Sequence, residues 1–456
     1  MGTLDREFAR HGGYVWVYSP DGSLRAGEGP AGQTAAWVQP PGSPTVGMAI
    51  LEAYRATGEA ACLDAARDTA HALVRGQLHS GGWPYRIDFE PEDRKGTNYR
   101  VDGGPNPKAA GPAGWDTWKQ RKNRGNRSML DDDTTQAALR FLLEFHREVD
   151  GGDKQVRGAL DYGLAALRGT QYPCGAWSHN FDAFPDPPPE FGDYPVFDAS
   201  YPESWPRTWP KEWAGCYHLN DNITPDAIAT LLLAHEVLGD RTFLDAARRG
   251  GEFLIRAQMP DPQPAWAQQY DKHMHPVWER KFEPPAITGG ESQGAMEILI
   301  ALFHATGEER FLEPVPRALA YLRRSLLPDG RLARYYELRT NRPLYFTRDY
   351  KLTGDGGDVP DHYAFVTPSR LDKIEELYRE ARAGKPPRPA AVPGGERVAD
   401  LLATRDPRGI WLEPGVVRDH RGRKVRPEAG IVSSRTVARN LTALSRYLSR
   451  HHPSRP

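Results

Sequence analysis

Two short runs of aspartate and asparagine stand directly before predicted helices. They are Leu130-Asp131-Asp132-Asp133-Thr134-Thr135 and Leu219-Asn220-Asp221-Asn222-Ile223-Thr224. One such side chain caps a helix by accepting hydrogen bonds from its free amides, but three adjacent carboxylates repel one another unless a cation or a basic partner lies between them. Paired clusters of oxygen ligands suit calcium better than a soft metal. The two runs therefore predict either helix caps or a calcium site, and the residues alone favour neither.

Cations and aromatic side chains are concentrated in two later segments. Residues 278–287 combine Arg280 and Lys281 with two glutamates and with aromatic residues, ahead of a Pro-Pro break. Residues 331–351 interleave tyrosines with arginines, among them Arg334 and Arg348. Planar guanidinium groups bind carboxylates through two parallel hydrogen bonds. The alternative is a surface strand pair, 334–338 with 344–347, that carries solvated arginines. The local cationic excess in a nearly neutral chain favours the anion-binding interpretation.

Four repeated segments must position these residues. Each is a helix, a short turn, a second helix and a loop, and the turns are Thr57-Gly58-Glu59, Gly151-Gly152, Leu238-Gly239-Asp240 and Thr306-Gly307-Glu308. The second helices carry apolar residues at helical spacing. A helix hairpin cannot bury an apolar stripe alone, so neighbouring hairpins stack. The sequence therefore predicts an all-α fold, an α/α toroid of helix hairpins with long irregular loops and a few short strands, in which the loops at one end surround a shared cleft.

Composition indicates where the domains begin and end and which classes of partner the chain does not attract. We expect a toroid domain over residues 1–383, a Pro/Gly-rich connector over 384–396, and a C-terminal extension over 397–456 whose helix docks on the toroid. The formal charge is −1, from 59 Lys and Arg against 60 Asp and Glu, so no global field draws the chain to nucleic acid. The sequence contains no run of about 18 apolar residues, so it predicts no membrane span. We expect a monomer.

The start of the chain and its histidines give weaker signals. Residues 1–18 lack the charged-then-apolar pattern of a secretory signal, so secretion or periplasmic location requires that a leader was removed. His273 and His275 are close in sequence, but without a third ligand nearby they do not predict zinc. There is no Ser-His-Asp order, HExxH motif, Gly-rich phosphate loop or CxxC pair.

Several pieces in a fixed order give the chain a resemblance to the family-10 pectate lyases. The match covers roughly residues 45 to 350 and includes the Asp-rich helix start, Gln171-Tyr172-Pro173 with Gly175 and Trp177, Asn220-Asp221-Asn222, Trp266 to Asp271, Arg280-Lys281-Phe282-Glu283-Pro284-Pro285, Glu291-Ser292, Ala333 to Glu337, and Thr340-Asn341-Arg342-Pro343. The chain departs from the family pattern at Gly175-Ala176-Trp177-Ser178, where the family has Gly-Gly-Trp-Pro. The family's fold is an α/α toroid, in agreement with the repeats.

The resemblance also implies a reaction and the residues that perform it. It implies calcium-assisted β-elimination of an acidic uronate polymer of the polygalacturonate type, with Arg280 as the base. Asp132, Asp133 and Asp221 would bind Ca²⁺. Arg334 and Arg348 would hold substrate carboxylates, and the remaining expected substrate contacts are Lys281, Trp177 and Tyr335.

Two other functions remain open on the same fold. One is a glycoside hydrolase that uses Asp221 and Glu283 as its acid and base. The other is a polysaccharide-binding protein without turnover.

Overall fold

The computed structural model describes residues 6–108, 123–185, 194–212, 215–360 and 363–451. Within them, the long helices are α1 (Ser43–Thr57), α2 (Ala60–Gly76), α3 (Thr134–Glu148), α4 (Lys154–Gly169), α5 (Ile223–Leu238), α6 (Arg241–Ala257), α7 (Gly289–Thr306), α8 (Pro314–Arg324), α9 (Leu371–Arg382), α10 (Gly395–Ala403) and α11 (Ser434–His451). Short 3₁₀ turns at Asp131–Asp133 and Asn220–Asn222 precede α3 and α5.

Odd-numbered helices form the inner layer and even-numbered helices the outer layer. The inner helices contact one another in the order α11, α1, α3, α5, α7 and α9, and each of the first four outer helices packs against the inner helix that precedes it. The predicted α/α toroid is confirmed. None of the described helices is long and apolar enough to cross a membrane.

One buried tryptophan in each of the first three hairpins makes the same contact. Trp83, Trp177 and Trp266 have no exposed surface, and each indole N–H donates to a backbone carbonyl of the preceding outer helix at 2.7–2.8 Å. Trp411 repeats this contact after α10, with the carbonyl of Leu401 at 2.7 Å. An indole N–H that is buried needs such an acceptor, so the tryptophan fixes the loop against its outer helix.

Short strands line the end of the toroid at which the inner helices begin. They are β1 (Val17–Tyr18), β2 (Arg25–Ala26), β3 (Ala36–Trp37), β4 (Arg86–Ile87), β5 (Ser128–Met129), β6 (Asn180–Phe181), β7 (Tyr217–His218), β8 (Gln269–Tyr270), β9 (Ala286–Thr288), β10 (Leu332–Ala333), β11 (Tyr335–Glu337), β12 (Pro343–Phe346), β13 (Leu352–Thr353), β14 (Val366–Thr367), β15 (Val417–Arg418), β16 (Lys424–Val425) and β17 (Val432–Ser433). Pairs such as β5 with β6 and β7 with β8 link the loop before an inner helix to the loop after the next outer helix.

The C-terminal residues take part in the ring. Strand β17, which leads into α11, pairs antiparallel with β1, so that Val17 lies opposite Ser433. Helix α11 packs along α1. Residues expected to form an extension docked on the toroid therefore supply one of its inner helices, and the first and last parts of the chain are neighbours.

Candidate active site

The turns before α3 and α5 share an unusual backbone. Asp132 and Asp133 have φ of 51° and 59°, and Asp221 and Asn222 have φ of 44° and 63°. Left-handed conformations are uncommon outside glycine, and aspartate and asparagine tolerate them best. Each such residue costs on the order of 1–3 kcal/mol, and strain of this kind is concentrated at functional sites. The two equivalent turns point acidic side chains toward a common space.

Three carboxylates meet in that space. Ligand oxygens of Asp131, Asp132 and Asp221 all lie within 4.8 Å of one another. Gln39 donates to Asp132 Oδ2 at 2.7 Å, and the Tyr85 hydroxyl donates to Asp131 Oδ2 at 3.1 Å. These contacts hold the carboxylates in place while leaving oxygen lone pairs directed at the shared space.

Burial and mutual repulsion perturb the acidity of this cluster. Burial, followed by the negative charge of Asp221, raises the pKa of Asp131 well above its usual value. The same two causes raise the pKa of Asp132 to about 6. A cation among the three carboxylates would relieve the repulsion. Because the donors are all carboxylate oxygens, the cluster fits a hard cation such as Ca²⁺.

The structure replaces one predicted ligand. Asp133, expected beside Asp132 and Asp221, instead forms an ion pair with Arg140, and its ligand oxygens are not among the clustered atoms. Asp131 takes its place and is only 4% exposed. The reason is the pair of left-handed residues, which turns the side chains of Asp132 and Asp133 in different directions.

Asp221 connects the cluster to the two predicted arginines. Arg334 Nη2 lies 3.0 Å from Asp221 Oδ1 and 3.3 Å from Glu291 Oε1. Arg280 Nη2 lies 3.7 Å from Asp221 Oδ2 and 2.5 Å from Oε1 of the buried Glu283. Two residues that are 54 positions apart in sequence thus meet across one carboxylate, with their positive charges beside the acidic cluster.

Arg280 is a cation with unused hydrogen-bonding capacity. About 31% of its side chain is exposed, and Nη2 is paired with Glu283, but Nε is buried without a hydrogen-bond partner among the described residues. Burial alone would lower the pKa of Arg280, but the carboxylates of Glu283 and Asp131 outweigh it and raise the pKa well above its usual value. Nε is therefore available to a ligand.

Arg334 is held more rigidly. Its guanidinium lies 4.4 Å from the centre of the Tyr363 ring, and 17% of its side chain is exposed. Burial would lower its pKa, but Glu291 raises it well above its usual value. The predicted strand pair around it exists as β11 and β12, but these strands are buried rather than at the surface.

The other predicted substrate contacts lie at different depths. Trp177 is fully buried in the core and offers no ring face to a sugar. Tyr335 is also buried, and its hydroxyl donates to Gln268 Oε1 at 3.0 Å beneath the site. Lys281 Nζ lies 3.3 Å from the centre of the Tyr350 ring. Arg348 is 69% exposed and pairs with Asp358 at 3.4 Å, away from Asp221.

A buried polar network behind Arg280 was not predicted. Glu279, fully buried, lies between His218 Nε2 at 2.8 Å and His179 Nδ1 at 3.4 Å. Asn220 Nδ2 donates to His179 Nε2 at 3.1 Å while its Oδ1 accepts from Gln268 Nε2. This orientation places the His179 proton on Nδ1, facing Glu279. Burial, followed by the nearby His218 and Arg280, lowers the pKa of His179 well below its usual value, so the ring is neutral.

This network joins the two parts of the site. Asn220 also lies within 3.5 Å of Asp131 Oδ1, and Glu279 directly precedes Arg280. The two imidazoles and the carboxylate have ligand atoms within 4.8 Å of one another, a donor set that a transition metal could use. The contact of His218 Nε2 with Glu279 Oε1 already engages part of this set, whereas His179 Nδ1 and Glu279 Oε2 have no hydrogen-bond partner among the described residues. The available sequence signal is the position of His179 two residues after Trp177 and of His218 two residues before Asn220.

Comparison with known proteins finds solved structures that share the fold of this chain at low sequence identity. No protein-family model matches the chain, and no curated protein matches it. A family 10 polysaccharide lyase from Cellvibrio cellulosa is 17% identical, with 74% of this chain and 97% of that chain covered and a TM-score of 0.46. A cellobiose 2-epimerase from Bacillus thermoamylovorans is 12% identical, with 99% and 96% covered and a TM-score of 0.48.

A third solved structure is an unsaturated glucuronyl hydrolase specific for heparin, 11% identical, with 98% of this chain and 94% of that chain covered and a TM-score of 0.40. By their names these three proteins perform different reactions on sugars. A reaction for this chain must therefore be argued from its own residues.

Proposed function

We propose that this protein is a polysaccharide lyase that cleaves an acidic uronate polymer of the polygalacturonate type by calcium-assisted β-elimination. The observation that supports this best is the arrangement around Asp221. One carboxylate joins a three-aspartate cluster to two arginines. A site that combines a place for a divalent cation with adjacent guanidinium groups is suited to a substrate that carries carboxylates.

Asp131, Asp132 and Asp221 are the residues that would hold Ca²⁺. When bound there, the cation would draw electron density from a uronate carboxylate and make the neighbouring C5 proton more acidic. Arg334 would add to this effect, because a fixed guanidinium stabilises negative charge that develops on the carboxylate in the transition state. Its contacts with Asp221, Glu291 and Tyr363 keep it in one orientation.

Arg280 is the proposed base. Removal of the C5 proton by a guanidine nitrogen leaves the electron pair of the C5–H bond to form the C4–C5 double bond. The C4–O bond breaks with its own pair, and the leaving oxygen takes a proton from solvent. Nε is suited to the first step because no acceptor among the described residues engages it. Arg280 must first lose a proton, and the carboxylates that raise its pKa, Glu283 and Asp131, oppose this loss. Neutralising the acidic cluster would weaken that opposition.

A hydrolase that uses Asp221 and Glu283 is the competing enzyme. Both carboxylates are engaged in ion pairs with arginines here, whereas a general acid must reach the leaving oxygen of the substrate. No specific contact favours this function.

The decisive experiment follows the ultraviolet absorbance of the conjugated double bond, which elimination creates and hydrolysis does not. The protein is incubated with polygalacturonate, methyl-esterified pectin, alginate and a neutral mannan, with calcium or with a chelator. We expect absorbance with polygalacturonate that is lost in chelator and restored by calcium. Reducing ends without absorbance would identify a hydrolase. Binding without either product, in the presence of calcium, would identify a binding protein.

A further inference from the structure

A cavity of about 800 Å³ lies inside the ring between α1, α3 and α11. It begins beside the aspartate cluster. Pro40 and Asp133 line it, and their chain neighbours Gln39 and Asp132 form the 2.7 Å hydrogen bond within the cluster. Its volume falls within the range of ordinary ligand sites. We call it the α11 cavity.

Arginines dominate the charge of the α11 cavity. Its charged lining consists of Arg140, Arg435, Arg439 and Arg446 with the carboxylates Asp133 and Glu52. Two of the arginines are paired, because Arg140 contacts Asp133 and Arg446 lies 3.5 Å from Glu52.

The other two arginines have no carboxylate partner among the described residues. Arg439 contacts only the neutral Asn440 and Thr436, at 3.3 Å and 3.5 Å, and both Arg435 and Arg439 are exposed. The cavity therefore carries two positive charges that no carboxylate of the described residues balances.

The spacing of these arginines follows one helix face. Arg435, Arg439 and Arg446 are separated by four and seven residues, so they lie along one side of α11 over roughly 16 Å at 1.5 Å per residue. Helix α11 has no acidic residue. Arg435 stands near the start of the helix, at the end of the ring that holds the aspartate cluster. The positive stripe thus leads away from the proposed cleavage site into the ring.

We infer that the α11 cavity is a binding subsite for anionic sugar units of the same polymer, beyond the bond that is cleaved. The inference rests on the proposed function and adds to it a role for the C-terminal helix. A polyanion with regularly spaced carboxylates complements a row of unbalanced guanidinium groups, which bind carboxylates through charge-assisted hydrogen bonds. A neutral polysaccharide gains nothing from the same surface.

The test uses the double substitution Arg435→Ala with Arg439→Ala in the full chain. Its matched control is Arg397→Ala with Arg421→Ala, which removes two exposed arginines from outside the cavity. Affinity electrophoresis in gels that contain polygalacturonate measures binding without requiring turnover. We expect the cavity variant to bind about 10- to 100-fold more weakly, with a shallower dependence on salt, and the control to match the parent.

Kinetics separate this subsite from the catalytic residues. The cavity variant should have a raised KM and an unchanged kcat on the long polymer, and parent-like values on a trisaccharide. Thr442→Glu, which adds a carboxylate to the cavity lining, should weaken binding in the same direction. Equal binding by the cavity variant, Thr442→Glu and the control would overturn the inference. If the parent forms no unsaturated product but still binds the polymer, the electrophoresis decides the subsite independently of the lyase proposal.

Discussion

Replacement of Arg280 by lysine separates a base from a structural ion pair. Lysine retains the positive charge beside Glu283 and Asp221, but it loses the planar fork and moves the nitrogen. Glu283 also accepts from the Arg280 backbone N–H at 3.1 Å and from the Tyr363 hydroxyl at 3.3 Å. Since these two donors remain, we expect Arg280→Lys to reduce the free energy of unfolding by about 1–2 kcal/mol. Arg280→Ala, which leaves a buried carboxylate without its cation, should cost about 3–5 kcal/mol.

The effect on turnover should be far larger than the effect on stability. A positioned base contributes on the order of 10²- to 10⁴-fold, so Arg280→Lys should lower kcat by at least that range while polymer binding persists. The assay is the initial rate of ultraviolet absorbance increase at saturating polygalacturonate and calcium, with binding measured by affinity electrophoresis and stability by chemical unfolding.

A matched control is Arg94→Lys, because Arg94 is 13% exposed and pairs with Asp102 outside the site. It should lose a similar amount of stability and no activity. If Arg280→Lys keeps near-normal turnover, Arg280 braces its loop through Glu283 and the base lies elsewhere.

Three further predictions follow from the acidic cluster and the arginines. Burial and repulsion raise the pKa of Asp132 to about 6 and that of Asp131 well above its usual value, so protons should compete with calcium for the cluster. The calcium concentration for half-maximal activity should therefore rise tenfold or more per pH unit below about 6; a flat profile would contradict the assignment. Asp131→Asn should raise the dissociation constant for calcium, measured by calorimetric titration, more than Asp133→Asn does. The reverse order would identify Asp133 as a ligand. Arg334→Ala should lower kcat/KM on polygalacturonate by about 10²-fold or more, whereas Arg348→Ala, at an exposed position, should change mainly the salt dependence of KM; equal losses in both would contradict the depth difference.

The repeats made the helices and their order accessible from sequence. Apolar spacing and Gly-containing turns locate the hairpins, and buried tryptophans mark the loops that follow them. The fifth outer helix, α10, escaped this reasoning because it is short and follows a Pro/Gly-rich segment. Trp411 bonds to Leu401, which lies ten residues earlier in the sequence. The same separation joins Trp83 to Leu73 and Trp177 to Leu167. That spacing is the signal that would have placed it.

The residue types of the site could be predicted from sequence, but the directions in which their side chains point could not. Sequence located the aspartates, yet only the left-handed backbone at Asp132 and Asp133 decides that Asp131 joins the cluster and Asp133 leaves it. The family resemblance implied that Trp177 contacts the substrate, but large aromatic side chains also fill cores, and Trp177 does so here. Glu279 could not be recognised because its importance depends on two histidines that are 61 and 100 residues away in sequence.

The pairing of β1 with β17 bears on how the chain folds during synthesis. Helix α1 emerges from the ribosome long before its neighbour α11, because Glu52 meets Arg446 across a sequence separation of 394 residues. Contacts between such distant segments form slowly because loop closure costs entropy before any contact compensates it. Until α11 arrives, one flank of α1 faces water, and the wall of the α11 cavity does not exist. A nascent chain could therefore complete the aspartate cluster before it completes the ring, and would need protection at that flank in the interval.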